Sequence, residues 1–424
     1  MLRLKFYLPL LLLATAFFSC EEDSLTGDAA ASAIPSETSE ADDFFEDDDE
    51  LVFDADLQID NDAIFRKLGY GDELTEEKSR RHPVVYTLSN EVSGNEVIQF
   101  NAAADGTLTE VARFPTGGTG TGEGLGNQGA LAIARTPGSR VLWAVDPGSN
   151  SIAIFFVFGD GSLELLDTQE TRGNRPVSIT VRGDVAFVAF AGSDNVEGFR
   201  RGALFGDIRP VGDLYPLSGT GTAPAQISFT NSGRNIVVTE KATNIITTFT
   251  VAGNATLSEP NFTPSAGITP FGFANARGGS RIIVSEAAQG AAGEATVSTY
   301  RVTRRRGVRL LGKTLQLGAT ASCWVAFDRR SDQAFVTNTG SDDISSLRFD
   351  RETRTTSISN GGATTPALSA PLDAGLDRRG NYLYVLATGT DALLTYEVAG
   401  DGTLLQIDTD GGLPDRATGV AVFR

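Results

Sequence analysis

Seven similar units, each about 50 residues long, fill the chain from Val84 to Arg424. Each unit contains a short run of β-branched or aromatic residues, and a second apolar run follows it and ends in Phe or Tyr. Repeats of this length that contain only strands are typical of sheets arranged radially around an axis, because each unit must bury its faces against its neighbours. The sequence therefore predicts an all-β fold, a seven-bladed β-propeller. The first runs of the seven units are VVYTLSN (84–90), VLWAVDP (141–147), VAFVAFA (185–191), IVVTEK (236–241), IIVSEA (282–287), AFVTNT (334–339) and YLYVLAT (382–388).

Turn signals follow the second run in four of the units. An Asp-Gly pair between two apolar runs predicts a tight hairpin, in which both central residues have positive φ. The four turns are ADGTL (104–108), GDGSL (159–163), GNATL (253–257) and GDGTL (400–404).

The two ends of the repeat region are expected to meet. The run GVAVFR (419–424) lies at the end of the last unit, whereas the first unit begins directly with its VVYTLSN strand. We therefore predict a Velcro closure, in which the last strand of the chain completes the first blade.

Charge divides the chain into two parts. The 424 residues have a formal net charge of −19. Residues 21–80 contain 21 Asp or Glu and only four Lys or Arg, while residues 81–424 contain 33 acidic and 29 basic residues. Because both parts have a net negative charge, we expect neither to present the basic surface that binding to a phosphate backbone requires, and we do not expect a nucleic-acid partner.

The N-terminus has the layout of an export signal. Arg3 and Lys5 precede an apolar run over residues 6–18, which ends in Ser19 and Cys20. The run is short for a membrane span. It resembles the signal of Bacteroidota lipoproteins, which implies a signal peptide over residues 1–20, lipidation of Cys20 and an exported outer-membrane lipoprotein, periplasmic or on the cell surface. An ordinary cleaved secretory signal is the alternative.

An acidic stalk is predicted over residues 21–81, because a segment so rich in Asp, Glu, Ser and Ala cannot bury enough apolar surface to order itself. The cluster DADLQIDND (54–62) lacks the glycine of an EF-hand loop, so calcium binding there is not the preferred interpretation. A short helix near residues 60–68 that docks on the propeller is an alternative to continued disorder. The propeller itself is assigned to residues 82–424.

The direction of the chain decides which loops share a face of a propeller. The loops between the second and third strands of each blade lie on the same face as the crossings between blades, and together they surround one mouth of the central channel. A polar residue at a strand end also has a simpler interpretation, as a cap for backbone groups. Asn90, Phe271 and Trp324 are expected at this mouth, and the candidate ligand-binding residues are Gln128, Asp146, Arg175, Gln226, Glu240, Lys241, Glu286, Asn338 and Asp373.

Units such as 173–199 and 334–349 resemble the lactonase-like seven-bladed propellers and the related YVTN-type repeats. That family includes 6-phosphogluconolactonase-like proteins and the carboxymuconate lactonizing enzyme. The resemblance implies a catalytic histidine in a Pro-Arg-His motif where a blade starts. The comparable positions here begin at Pro176, Pro224, Pro270, Ser322 and Pro371, and none contains histidine.

The absence of that motif favours a binding module over an enzyme. The only histidine is His82, at the junction of stalk and propeller, and general acid–base catalysis near neutral pH favours histidine. We therefore expect a monomeric propeller, without cofactor or metal, that binds a small molecule or an envelope or extracellular protein at its mouth. The alternative is a lactone hydrolase or a carboxymuconate-type cycloisomerase that uses arginine and carboxylate residues.

Overall fold

The computed structural model describes residues 82–136, 139–202, 207–278 and 280–423. The predicted signal peptide with Cys20 and the predicted acidic stalk lie outside these residues. Within them, no helix is long and apolar enough to cross a membrane.

Seven four-stranded antiparallel sheets make up the described chain. We name the strands of each blade A to D from the axis outwards, since the A strands of neighbouring blades pack against one another. The predicted seven-bladed propeller is confirmed. In the order A to D, blade 1 contains β28 (Thr418–Phe423), β1 (Val84–Leu88), β2 (Glu96–Ala102) and β3 (Leu108–Pro115), and blade 2 contains β4 (Leu131–Thr136), β5 (Ser139–Asp146), β6 (Ser151–Val157) and β7 (Leu163–Glu170). In the same order, blade 3 contains β8 (Pro176–Arg182), β9 (Val185–Phe190), β10 (Asn195–Arg201) and β11 (Ile208–Pro216), blade 4 contains β12 (Pro224–Phe229), β13 (Asn235–Glu240), β14 (Ile245–Thr250) and β15 (Asn261–Pro264), and blade 5 contains β16 (Pro270–Asn275), β17 (Arg281–Glu286), β18 (Thr296–Val302) and β19 (Val308–Gln316). Blade 6 contains β20 (Ser322–Asp328), β21 (Gln333–Asn338), β22 (Asp343–Phe349) and β23 (Thr356–Thr364), and blade 7 contains β24 (Pro371–Leu376), β25 (Tyr382–Ala387), β26 (Ala392–Val398) and β27 (Leu404–Gly411).

Burial explains why the B strands stand out in the sequence. A B strand is covered on both faces by the neighbouring blades, and every residue of β13 is buried. A D strand forms the outer rim, and most residues of β3 are exposed or half-buried. A strand that is buried on both faces needs a nearly continuous apolar run, while a rim strand does not. The repeat pattern of the sequence is thus the pattern of the B and C strands.

The Velcro closure is confirmed by the pairing of β28 with β1. The two strands run antiparallel, with Phe423 opposite Val84 and Ala421 opposite Tyr86. Phe423 is buried in a cluster that continues into blade 2, and Val420 is buried against blades 1 and 7. The last strand of the chain therefore joins the first blade to both of its neighbours.

The hairpin turns between strands C and D differ from the expected two-residue turn. Only the second residue has positive φ, as at Gly106 and Gly402. The preceding side chain instead accepts a backbone N–H two residues further on, as Asp105 does from Thr107 and Asp401 does from Thr403. This local hydrogen bond stabilises a turn in which the Asp does not need positive φ. Each turn is therefore a three-residue loop whose last residue is a glycine with positive φ.

Two faces result from this strand order. We call the face with the B–C loops and the blade crossings the mouth face, and the opposite face, with the A–B and C–D turns, the turn face. The described chain enters the propeller on the turn face, where the backbone oxygen of Pro83 accepts the N–H of Ala102 at the end of β2.

Candidate functional site

A repeated backbone feature starts the A strands at the mouth. The residue directly before strand A has positive φ in blades 3 to 7, namely at Arg175, Ala223, Thr269, Ala321 and Ala370. Positive φ is costly for a residue with a side chain, so the surrounding contacts must hold it. The mouth is therefore a rigid ring of strand starts.

Side chains from the B–C loops hold these strand starts in place. Asp194 accepts hydrogen bonds from the backbone N–H groups of Gly221 and Thr222, and Asp342 accepts them from Leu368 and Ala370. Asn150 and Asn244 play the same part for Arg175 and Thr269. Sequence reasoning missed these residues, although Asn or Asp recurs at this loop position and could have indicated a shared cap.

The glycine-rich crossing from blade 1 to blade 2 enters the central channel. The N–H of Gln128 donates to the backbone oxygen of Ala225 in blade 4 (2.9 Å). Its side-chain amide donates to the oxygen of Val325 in blade 6 (3.1 Å) and accepts the N–H of the same residue (3.3 Å). One residue of the crossing between blades 1 and 2 thus contacts blades 4 and 6, through its backbone and its side chain respectively. We call residues 126–129 the plug.

Its neighbour Asn127 extends the same contacts. The Asn127 amide donates to the oxygen of Val177 in blade 3, and its backbone oxygen accepts the indole N–H of Trp324 in blade 6 (2.6 Å). The plug fits closely, because a Cβ at Gly272 would lie 2.1 Å from Oε1 of Gln128. Only glycine leaves room there for the Gln128 side chain.

Two aromatic side chains and one lysine surround the plug. The rings of Phe271 and Trp324 lie 4.9 Å apart. Nζ of Lys241 lies 4.7 Å from the centre of the Phe271 ring and 2.6 Å from the backbone oxygen of Gly126. The lysine therefore fixes the plug through a carbonyl and places its amino group over an aromatic face.

Asp373 is a buried carboxylate beneath the plug. Oδ2 accepts the backbone N–H groups of Gly129 (3.1 Å) and Val420 (3.3 Å), and Oδ1 accepts that of Ala374 (2.9 Å). Burial raises the pKa of Asp373 to about 7, although the three N–H donors act to lower it. Asp373 thus joins blades 7, 1 and 2 and can change its charge near neutral pH.

Gln226 connects neighbouring A strands. Its Oε1 accepts the N–H of Phe273 in blade 5 (2.5 Å). Ser178 has a similar role, since its hydroxyl donates to the oxygen of Gln128 and accepts the N–H of Ile227. Both side chains satisfy backbone groups that face the next blade.

Glu240 and Glu286 are buried at the ends of β13 and β17, and their oxygens accept hydrogen bonds from the blade around them. Thr243 and Thr247 donate to Glu240. Thr296 and Ser298 donate to Glu286. Both carboxylates also hold the preceding crossing, since Glu240 accepts the backbone N–H of Ser218 (3.2 Å) and Glu286 accepts that of Gly267 (3.1 Å).

Asp146 and Asn338 occupy the equivalent positions in blades 2 and 6. Oδ1 of Asp146 accepts from Asn95 (2.8 Å) and Thr116 (2.6 Å), while Oδ2 is buried without a hydrogen-bond partner among the described residues. Burial raises the pKa of Asp146 to about 6, against the effect of these donors. Asn338 donates to Ser345 (2.8 Å) within its own blade.

Arg175 is the candidate residue nearest to solvent. Its side chain is 36% exposed, and Nη2 lies 4.0 Å from Oε2 of Glu123 in the glycine-rich crossing. Asn90 holds the same crossing from the other side, by donating to the backbone oxygen of Glu123 (2.8 Å). The structure thus gathers Gln128, Lys241 and Asp373 around the plug, leaves Arg175 at its entrance, and places Glu240, Glu286 and Asn338 apart from them.

A family model described as lactonase, seven-bladed β-propeller matches residues 77–219 of the sequence. The chain is a seven-bladed β-propeller, and over residues 77–219 it is similar to the lactonase family. No curated protein matches the sequence.

Several solved structures are similar to this lactonase-like propeller. A proposed 6-phosphogluconolactonase from Bacteroides uniformis has a TM-score of 0.66 and 15% identity, and covers 81% of this chain and 100% of its own. A similar protein from Bacteroides fragilis has a TM-score of 0.62 and 16% identity, over 82% and 100%. The periplasmic gluconolactonase of Pseudomonas aeruginosa has a TM-score of 0.62 and 14% identity, over 80% and 98%. At these identities the likeness shows the fold alone.

The histidine of this lactonase-like propeller is not at the mouth. His82 is exposed and lies two residues before the start of β1, on the turn face. In the described part of the chain, no three His, Cys, Asp or Glu side chains are grouped as a metal site would require.

Proposed function

We propose that this propeller is an exported, lipid-anchored binding module that engages an envelope or extracellular protein with its mouth face. The observation that carries the proposal is the plug: Gln128 occupies the channel where a small substrate would otherwise reach the buried groups. A lactone in that position would have to displace hydrogen bonds to blades 4 and 6.

Exposed apolar side chains on the mouth face support a protein partner. Val92, Ile268 and Leu368 lie in a B–C loop and in two blade crossings, and they are 64%, 54% and 80% exposed. Aliphatic side chains on a rigid surface are suited to contact with another protein. The rim strands also carry exposed apolar residues, such as Ile358 (53%) and Leu405 (61%), which provide a control at more than half exposure.

Lactone hydrolysis is the competing function, and the names of the similar structures motivate it. The test compares spontaneous hydrolysis of gluconolactone and 6-phosphogluconolactone with hydrolysis in the presence of the full chain. We expect no acceleration. An acceleration that the Arg175→Ala or Asp373→Asn substitution abolishes would instead establish the lactonase.

Binding is tested in the cells that export the protein. A photo-crosslinking amino acid is placed at Ile268 or Leu368 and, as controls, at Ile358 or Leu405. We expect one protein adduct of defined mass from the mouth positions only. Equal adducts from mouth and rim positions, or none from the mouth, would contradict the proposal.

A further inference from the structure

The turn face carries a dense group of arginines on blades 5 and 6 and at the A–B turn of blade 7. Fourteen arginines lie in these turns or at the adjoining strand ends, and all but the half-buried Arg281 are exposed. Only five carboxylates share the region. We call it the arginine face, and its arginines are Arg277, Arg281, Arg301, Arg304, Arg305, Arg306, Arg309, Arg329, Arg330, Arg348, Arg351, Arg354, Arg378 and Arg379.

The nearby carboxylates do not neutralise this charge. Asp332 forms ion pairs with Arg277 (3.6 Å) and Arg351. Asp328 and Asp377 are buried and accept backbone N–H groups of their own turns. Most of the fourteen positive charges therefore have no counter-charge among the described residues.

The fold holds these arginines close together. Arg277 donates to the backbone oxygen of Arg329 (2.5 Å), and Arg330 donates to that of Arg379 (3.3 Å), so blades 5, 6 and 7 are tied in sequence. Burial lowers the pKa of Arg281, and neighbouring arginines lower it further. A fixed group of like charges of this kind attracts a strongly acidic partner.

The chain itself contains a segment whose charge is opposite to that of the arginine face. Residues 42–62 include eleven Asp or Glu and no Lys or Arg. The described chain enters on the turn face at His82, and Tyr384 of blade 7 belongs to the same buried cluster as Val85 of the entering strand. Nineteen residues (63–81) separate the acidic segment from that point, and a random-coil chain of this length spans about 25 Å.

We propose that residues 42–62 dock on the arginine face of the same chain. The tether gives the segment a high effective concentration at this surface, so opposite charge is sufficient to hold it without a deep pocket. If Cys20 carries the lipid, this docking also turns the arginine face towards the membrane and the mouth face outwards. The inference does not depend on the proposed binding function. An anionic lipid surface is the competing occupant.

Carbodiimide cross-linking, which joins a lysine amine directly to a carboxylate, tests the docking. The full chain with Cys20→Ser, which cannot be lipidated, receives Arg305→Lys or Arg330→Lys. The background is low, since the sequence has only five lysines. We expect cross-links from the new lysines to residues 42–62 at about 20 mM salt, independent of protein concentration, and their loss at about 1 M salt, where the screening length is near 3 Å.

Arg209→Lys is the matched control. Arg209 is exposed on blade 3, two blades from the entry point on blade 1, whereas Arg330 is also two blades away and Arg305 three, so reach alone would not favour the test variants. The proposal requires at least about five-fold more cross-link in the two test variants, because only they combine reach with the positive surface. Equal yields, or no cross-links to residues 42–62 while the chain binds anionic phospholipid vesicles, would overturn it. Substitution of Asp47, Asp48 and Asp49 by Asn should lower the yield in the test variants alone.

Discussion

Asp373 makes stability depend on pH in a predictable direction. Burial raises its pKa to about 7, whereas the unfolded chain ionises near 3.8. Between these two pH values Asp373 is protonated in the folded state and ionised in the unfolded state. The free energy of unfolding therefore falls as the pH rises towards 7, and it falls no further on account of Asp373 above that pH. From pH 6 to 8 this residue should reduce the stability by roughly 1 kcal/mol, and the Asp373→Asn variant should lack that part of the decrease.

Equilibrium urea unfolding at pH 6 and pH 8 provides the measurement. Asp146, whose pKa is raised to about 6, adds a decrease at lower pH that the Asp373→Asn variant should keep. Asp105→Asn is the control, because Asp105 is in an exposed turn and its pKa is lowered. If the wild type and the Asp373→Asn variant lose the same stability from pH 6 to 8, Asp373 is ionised throughout.

The plug is an element without regular secondary structure that the channel nevertheless holds tightly. Removal of the Gln128 side chain leaves the N–H and the oxygen of Val325 unpaired, which costs about 1–3 kcal/mol. Since Asn127 holds the indole of Trp324, the Gln128→Ala variant should also let small quenchers reach that ring. Acrylamide quenching measures this in a Trp143→Phe background, which leaves Trp324 as the only tryptophan.

Gln333→Ala separates a loosened plug from a general loss of stability. Gln333 is equally buried and joins blade 6 to Gly400 of blade 7, on the turn face. Its variant should lose comparable stability with unchanged quenching of Trp324. Similar quenching in both variants would mean that the plug does not shield the channel.

Blades could be predicted from the sequence, whereas the plug could not. Buried B and C strands can be recognised by continuous apolar runs such as IVVTE (236–240). The closure was indicated by the apolar run at 419–424, which follows the last complete unit. The stretch around Gln128 is mostly glycine, and its contacts with Ala225 and Val325 are remote in sequence. Glycine spacing indicates a chain that can approach closely, but not what it approaches.

The sequence predicted that polar residues at strand ends lie at the mouth, but it did not predict which groups each of them contacts. Glu240 and Asp373 both lie near such ends, yet Glu240 accepts hydrogen bonds from hydroxyl groups of its own blade and from the N–H of Ser218 in the preceding crossing, while Asp373 accepts backbone N–H groups from three blades. The difference depends on where neighbouring blades place their donors. That placement is fixed only when the ring is closed.

Closure of the seven-bladed ring depends on one non-covalent strand pairing. Between other blades the chain is continuous, but blade 1 receives its A strand only through the pairing of β28 with β1. Deletion of residues 420–424 removes Val420 and Phe423 from two buried clusters and exposes the unpaired edge of β1. An exposed strand edge also promotes aggregation.

We expect the deletion of residues 420–424 to abolish cooperative thermal unfolding of the entire propeller rather than to weaken one blade. Each blade buries its faces only against its neighbours, so an open ring leaves blades 1 and 7 uncovered and the loss spreads around the axis. Circular dichroism with temperature, together with sedimentation, provides the measurement, and deletion of Arg424 alone is the control. A deletion variant that stays monomeric and keeps the melting temperature of the control would show that the remaining strands close the ring without β28.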